Sequence, residues 1–159
     1  MAMYQFFSKF GYKKRQCEWL PILIVRICLG MFFILSGFFK LFDSKQHTIV
    51  LETLEKAHVP FPAFSAYLLP FLELICGILV LIGFLASLAS LILFAIMIIA
   101  LITDRLASIA AHGGLMILEN FLYLPEVPYA LMFLWLFFSG PGKVSLDYSY
   151  GKKKRRSTY

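Results

Sequence analysis

Charge is scarce in this 159-residue chain: Asp, Glu, Lys and Arg together make up 15% of it. A soluble globular domain carries about 25%, so a water-soluble α/β enzyme and a disordered chain are both excluded. Cysteine is rare as well, with Cys17, Cys28 and Cys76 forming an odd set that contains no C-x-x-C. That excludes membrane thiol oxidases, which need paired cysteines, and leaves Cys28 and Cys76 to be read as small core residues. The three histidines, His47, His58 and His112, have no spacing suited to haem or metal, so no metal site is expected. A glycine-rich phosphate loop is missing too, which removes nucleotide hydrolysis. Acidic residues number 9 against 15 Lys and Arg. The excess base lies at the two ends beside apolar blocks, where it suits an anionic membrane surface and not nucleic acid.

What the chain has in abundance is apolar sequence: 60% hydrophobic residues, 17% aromatic, and a mean hydropathy of +0.80. So short a chain cannot bury that much surface in a core of its own, so most of it must face lipid. About 20 apolar residues cross a bilayer core. Leu20–Phe42, broken only by Arg26 and Lys40, is one such run. The block Ala66–Thr103 holds Glu73 alone among charged residues and is long enough for two crossings, with the break at Gly83. Residues 121–139 complete a fourth span, opened by Pro125 or Pro128. The expected fold is therefore all-α: a four-helix membrane bundle over residues 20–147 with spans at 20–42, 66–83, 84–103 and 121–139. Basic tails flank it at 1–19 and 148–159. Ile49, Val50, Leu54 and Ala57 recur at helical spacing in the first connection, which predicts a short amphipathic helix there.

Orientation follows from basic residues. Lys9, Lys13, Lys14 and Arg15 precede the first span, and Lys143, Lys152, Lys153, Lys154, Arg155 and Arg156 follow the last; Lys40, Lys45, Lys56 and Arg105 lie on the opposite side. The positive-inside rule places both ends in the cytoplasm, which agrees with four crossings.

Arg26, Gly30, Phe33, Gly37 and Lys40 share one stripe of the first helix, and Ala66, Pro70, Glu73, Gly77 and Val80 share one of the second. Gly30, Gly37 and Gly77 are the helix-packing residues, since small side chains let membrane helices approach closely. A charge within a span needs a partner. By depth, Lys40 reaches Glu73 by bending inward, and Asp104 and His112 join them in a candidate intramembrane polar site. Arg26 lies too far away, about 21 Å along the helix from Lys40. Its expected partner is Asp147, brought back by the turn Gly140-Pro141-Gly142. Static ion pairing outweighs a chemical role at Lys40 and Asp104, whereas at Glu73, a lone carboxylate within a span, the two readings are about even; no residue is assigned as catalytic.

These residues also form an ordered set of motifs. Arg26-x-x-x-Gly30 leads into Phe33-Ile34-Leu35-Ser36-Gly37-x-x-Lys40-Leu41. Val59-Pro60-x-Pro62 and Glu73-x-x-x-Gly77 follow, then Gly140-Pro141-Gly142-x-x-Ser145-Leu146-Asp147. In that order they resemble the DoxX family of integral membrane proteins. The resemblance implies four transmembrane helices, a bacterial inner-membrane location, and association with membrane oxidoreductases. It carries Arg26, Lys40, Glu73 and Asp147 over as motif residues. With no paired cysteines and no haem- or metal-ligand spacing in the sequence, any electron-transfer role needs a bound quinone or a redox partner subunit. The expected function is an accessory or quinone-interacting subunit. The alternative is a non-enzymatic small-solute carrier or membrane binding or scaffold protein, which four short spans would serve best as a homo-oligomer.

Overall fold

The computed structural model describes residues 19–105 and 121–149, and every regular element in them is helical. Helix α1 spans Trp19–Phe42, α2 Ser44–Lys56, α3 Pro62–Ile82 and α4 Ala86–Ala100, which runs on as a π-helical turn over Leu101–Arg105; α5 spans Glu126–Ser139. At 1.5 Å per residue, α1 is about 36 Å long and α3 about 31 Å, enough for a hydrocarbon core of about 30 Å. Among the described residues, three helices are long and apolar enough to cross a membrane, counting Ala86–Thr103 as the third, and α5 is a shorter apolar helix.

The helix boundaries follow local chemistry. Asp43 caps α2 by accepting the backbone N–H of Lys45 at 3.0 Å. Pro62 opens α3 at its first turn, where a missing N–H costs nothing, so this helix begins four residues before the expected Ala66. Gly83 ends it with φ +76°, and Leu85, also left-handed at φ 48°, starts α4 at Ala86. The fourth apolar helix starts later than expected. Residues 121 and 122 are helical but lie apart from it, and Pro125 is the N-cap of the helix beginning at Glu126.

Packing follows the small-residue stripes. A Cβ on Gly37 would come 2.6 Å from the carbonyl oxygen of Pro70, and one on Gly30 would lie 2.8 Å from the Cβ of Leu81. Gly77 is equally tight, 3.0 Å from the backbone N of Ile34. Glycine here lets the backbones of α1 and α3 touch, which gains dispersion energy that lipid cannot supply. The core then passes from α3 to α4 and α5 through Leu29, Phe33, Cys76, Val80, Leu93, Phe133 and Leu136. Phe33 meets Phe133 edge to face with ring centroids 4.9 Å apart. Cys28, expected in the core, lies exposed on the outside of α1, whereas Cys76 is buried. It is two residues from both Arg26 and Gly30, which turns it to the opposite face at about 100° per residue.

On α2, Leu54 is the buried residue while Ile49 stays exposed. The apolar side of this helix is therefore divided between the bundle and the outside.

Candidate functional site

The antiparallel contacts of α1 and α3 set which side chains meet. Gly37 lies against Pro70 and Leu74, and Gly30 against Gly77 and Leu81. That register puts Glu73 beside Ser36 and leaves Lys40 one turn beyond. The Lys40 ammonium bends back along the helix and donates to both Glu73 oxygens at 2.8 Å. Ser36 Oγ donates to Glu73 Oε2 at 3.2 Å. Glu73 is 3% exposed, whereas the Lys40 side chain is 30% exposed. A buried carboxylate thus faces a cation that still reaches the surroundings. An ammonium has three N–H donors, so one remains after two go to Glu73.

Beside this pair lies a cavity of about 200 Å³. Lys40, Pro70 and Glu73 form one wall, Val50, Thr53 and Leu54 of α2 another, and Ile96 and Ile99 of α4 with Thr103 of the π-helical turn a third, with Glu126 of α5 completing it. The chamber is mostly apolar, with Lys40 and Glu73 on one side and Glu126 on another, the usual make-up of a small-molecule pocket, and it is smaller than the roughly 300–1,000 Å³ of most ligand pockets, so it suits only a compact group. Asp104 falls in the π-helical turn directly after Thr103, a helix irregularity that often marks a functional site; its side chain and His112 lie outside the described residues. Ser36, Thr53, Thr103 and Glu126 were not anticipated. Ser36 was legible, four residues before Lys40 on the same helix face; the others reach the cavity only through tertiary packing.

Arg26 occupies the opposite end of the bundle and is 1% exposed. Its expected ion pair with Asp147 is not what the structure shows: the guanidinium donates only to backbone carbonyls. Nε donates to Val80 at 2.9 Å and Nη2 to Leu81 at 3.1 Å. Nη1 donates to Pro141 at 2.6 Å and to Val144 at 2.8 Å. Asp147 instead accepts the N–H groups of Leu85 at 2.9 Å and Ala86 at 3.2 Å, while its own N–H donates to Gly83 at 3.1 Å. The physical reason is the orphaned groups at helix ends. The last carbonyls of α3 need donors and the first N–H groups of α4 need acceptors. A cation at the first and a carboxylate at the second also suit the helix dipoles. Gly83 is required between them, because a Cβ there would run into the Arg26 guanidinium and Ser145. Arg26 and Asp147 therefore hold one turn from two sides and fasten the segment after α5 to it. The start of α1, the α3–α4 turn and the end of α5 consequently lie together at one end of the bundle.

Among the described residues, no group of three or more His, Cys, Asp or Glu could hold a metal ion. Their ion pairs are Lys40–Glu73 and the exposed Lys56–Glu52 at 3.7 Å.

Fold and site together define a polytopic helical membrane protein with a charged pocket at one end of its bundle. The chain belongs to the DoxX family, whose profile matches residues 21–112. It is also similar to the uncharacterized membrane protein Rv3486 of Mycobacterium tuberculosis, being 28% identical over 137 residues, or 83% of this chain and 82% of the relative. No solved structure matches it. The profile match takes in Arg26, Lys40 and Glu73 and ends before the Gly140–Asp147 segment.

Proposed function

We propose that this DoxX protein is an accessory subunit of a membrane oxidoreductase system and that its Lys40–Glu73 pocket receives the head group of a quinone. The observation that carries this reading is the pairing of a buried carboxylate with a partly exposed ammonium on the wall of an apolar cavity inside a membrane bundle. An intramembrane ion pair is costly to embed and most often marks a ligand or proton path. A quinone, when bound, supplies two-electron and two-proton chemistry. Toward it, Lys40 Nζ offers its remaining N–H to a ring carbonyl, and Glu73, fixed by Ser36, can take or release a proton at Oε2. Val50 and Leu54 of α2 and Ile96 and Ile99 of α4 would line the ring beside that exchange. Electrons would come from a partner subunit, because the sequence has no C-x-x-C pair and no haem-ligand spacing to supply them. We place both ends in the cytoplasm of a bacterial cell, on the excess of basic residues flanking the Arg26 end.

The test is titration of quinone-extracted protein with 2,3-dimethyl-1,4-naphthoquinone, followed by tryptophan fluorescence. Saturable quenching that is lost in Glu73→Gln and Lys40→Met supports the pocket. Unsaturable quenching, equal in wild type and variants, refutes it. Co-purification in mild detergent of a protein carrying a flavin, haem or iron–sulfur centre would support the subunit role; purification alone from cells expressing such a system refutes it.

A further inference from the structure

Lys40 borders two spaces: the head-group cavity, and a separate hollow of about 430 Å³ on the outer side of α1 whose polar residues are Ser36, Lys40, Asp43 and Gln46. Glu73 borders the cavity and not the hollow. Its two hydrogen-bond donors, Ser36 and Lys40, both border the hollow. The buried carboxylate is therefore parted from an outward-facing space by the side chains that hold it. That space contains a second carboxylate. Asp43 comes three residues after Lys40 and extends its helix, donating its N–H to the Phe39 carbonyl at 2.9 Å. Side chains at that spacing are neighbours, with Cβ atoms about 5–6 Å apart. Asp43 Oδ1 accepts the Lys45 N–H that caps α2, which leaves Oδ2 to receive a cation. The flexible four-carbon stem of lysine lets its ammonium change partner without backbone movement. What holds it on Glu73 is charge, because a carboxylate 3% exposed needs a cation for as long as it is ionised. Asp43 is exposed and stays ionised without one. A proton on Glu73 thus weakens one attraction and leaves the other intact.

We propose that Lys40 is a two-position cation, held by Glu73 while that carboxylate is ionised and by Asp43 once it is protonated, and that Asp43 thereby opens a proton route from Glu73 into the outer hollow. The source of the proton rests on the quinone reading above; the change of partner does not. A proton taken at Glu73 Oε2 frees the ammonium to move to Asp43 Oδ2, which uncovers Glu73 beside Ser36. Glu73 then gives that proton to water in the hollow, and the ammonium returns to the carboxylate that re-forms. One proton enters and one leaves, and no electron moves in this step. The other charged group on the cavity wall is Glu126 of α5, an acid, while α2 and the π-helical turn present the neutral Thr53 and Thr103. Among the described residues lining the cavity, Lys40 is therefore the cation that faces Glu73.

The test is zero-length cross-linking of full-length protein in phosphatidylcholine nanodiscs with a water-soluble carbodiimide, which joins an amine to a touching carboxyl as an amide with loss of one water. A Lys45→Arg background removes the competing amine beside Asp43, and mass spectrometry of chymotryptic peptides separates Lys40–Asp43 from Lys40–Glu73 products. Glu73→Gln and Glu73→Met remove the charge as protonation does. Each should raise the Lys40–Asp43 yield about ten-fold, which corresponds to about 1.4 kcal/mol. An unchanged yield in both variants overturns the change of partner. The route is read from the infrared carboxyl stretch of Glu73, identified by its loss in Glu73→Gln, after a rapid drop in pH. Asp43→Asn, which keeps a capping side chain on α2, should slow the rise of that band several-fold; equal rates, or no Glu73 band, overturn the route. Saturable quenching by 2,3-dimethyl-1,4-naphthoquinone with unchanged cross-links sinks this inference and leaves the pocket reading standing. A raised Lys40–Asp43 yield with unsaturable quenching sinks the pocket reading and leaves the change of partner standing.

Discussion

Arg26→Met should cost this protein a large part of its stability, through loss of the clamp and not through loss of an ion pair. Methionine keeps most of the unbranched stem that fills the space beside Val80, so packing changes little. What disappears is four N–H···O bonds from a charged donor, one fully buried at Val80 and three partly buried at Leu81, Pro141 and Val144. A buried acceptor left without a donor costs about 1–3 kcal/mol. The carbonyl of Val80 should bear that in full, while the other three recover part of it from water at the membrane surface. The expected loss is about 3–5 kcal/mol, a substantial fraction of the roughly 5–15 kcal/mol that holds a folded domain together. Arg26→Lys should recover under half of it, because an ammonium cannot fork across two pairs of carbonyls. Equilibrium unfolding in mixed micelles measures the loss. Trypsin cleavage after Lys143 reports release of the segment after α5, and should accelerate in both variants. The exchange Arg26→Asp with Asp147→Arg distinguishes clamp from ion pair. It should be no better than either single change, since it sets a carboxylate against the carbonyls of α3 and a cation against the N–H groups of α4. Restored stability in the exchanged protein, or an Arg26→Met variant within about 1 kcal/mol of wild type, would refute this reasoning.

Other substitutions should respond in graded ways. Gly37→Leu should disrupt the bundle more than Gly140→Ala, because a side chain at Gly37 drives α1 from the α3 backbone while nothing lies within 4 Å of a Cβ at Gly140; thermal unfolding in detergent gives the order. Lys40→Met should destabilise more than Lys40→Met/Glu73→Gln, since the single change strands a buried carboxylate, at about 3–5 kcal/mol when fully enclosed and less here because Lys40 is partly exposed. Equal stabilities would mean that Glu73 finds another cation. Phe133→Ala should cost about 3–5 kcal/mol as a core aromatic truncation, whereas Phe138→Ala, on the outward face of the same helix and exposed, should leave the unfolding midpoint nearly unchanged. A lipid-soluble maleimide should modify Cys28 far faster than Cys76, which is 2% exposed; comparable rates would misplace the α1 face.

The amino-acid sequence by itself determined what depends on composition and on the 3.6-residue period. Scarce charge and continuous apolar runs of about 20 residues require a helical membrane bundle, because a run of that length crosses lipid with its backbone hydrogen bonds closed within one helix. The spacing of Gly30, Gly37 and Gly77 marked the faces on which α1 and α3 touch, and the depths of Lys40 and Glu73 along those faces brought them within reach. The exposure of Cys28 was legible by the same period, two positions from both Arg26 and Gly30 of the inward stripe. The tertiary structure alone decided where Arg26 sends its N–H groups. Its acceptors are main-chain oxygens of two turns, and a carbonyl's direction follows from backbone angles such as the left-handed Gly83, not from residue type. The cavity is likewise a product of assembly: Thr53, Thr103 and Glu126 come from three separate helices, and no spacing within any one of them records that α2, α4 and α5 converge on Lys40 and Glu73.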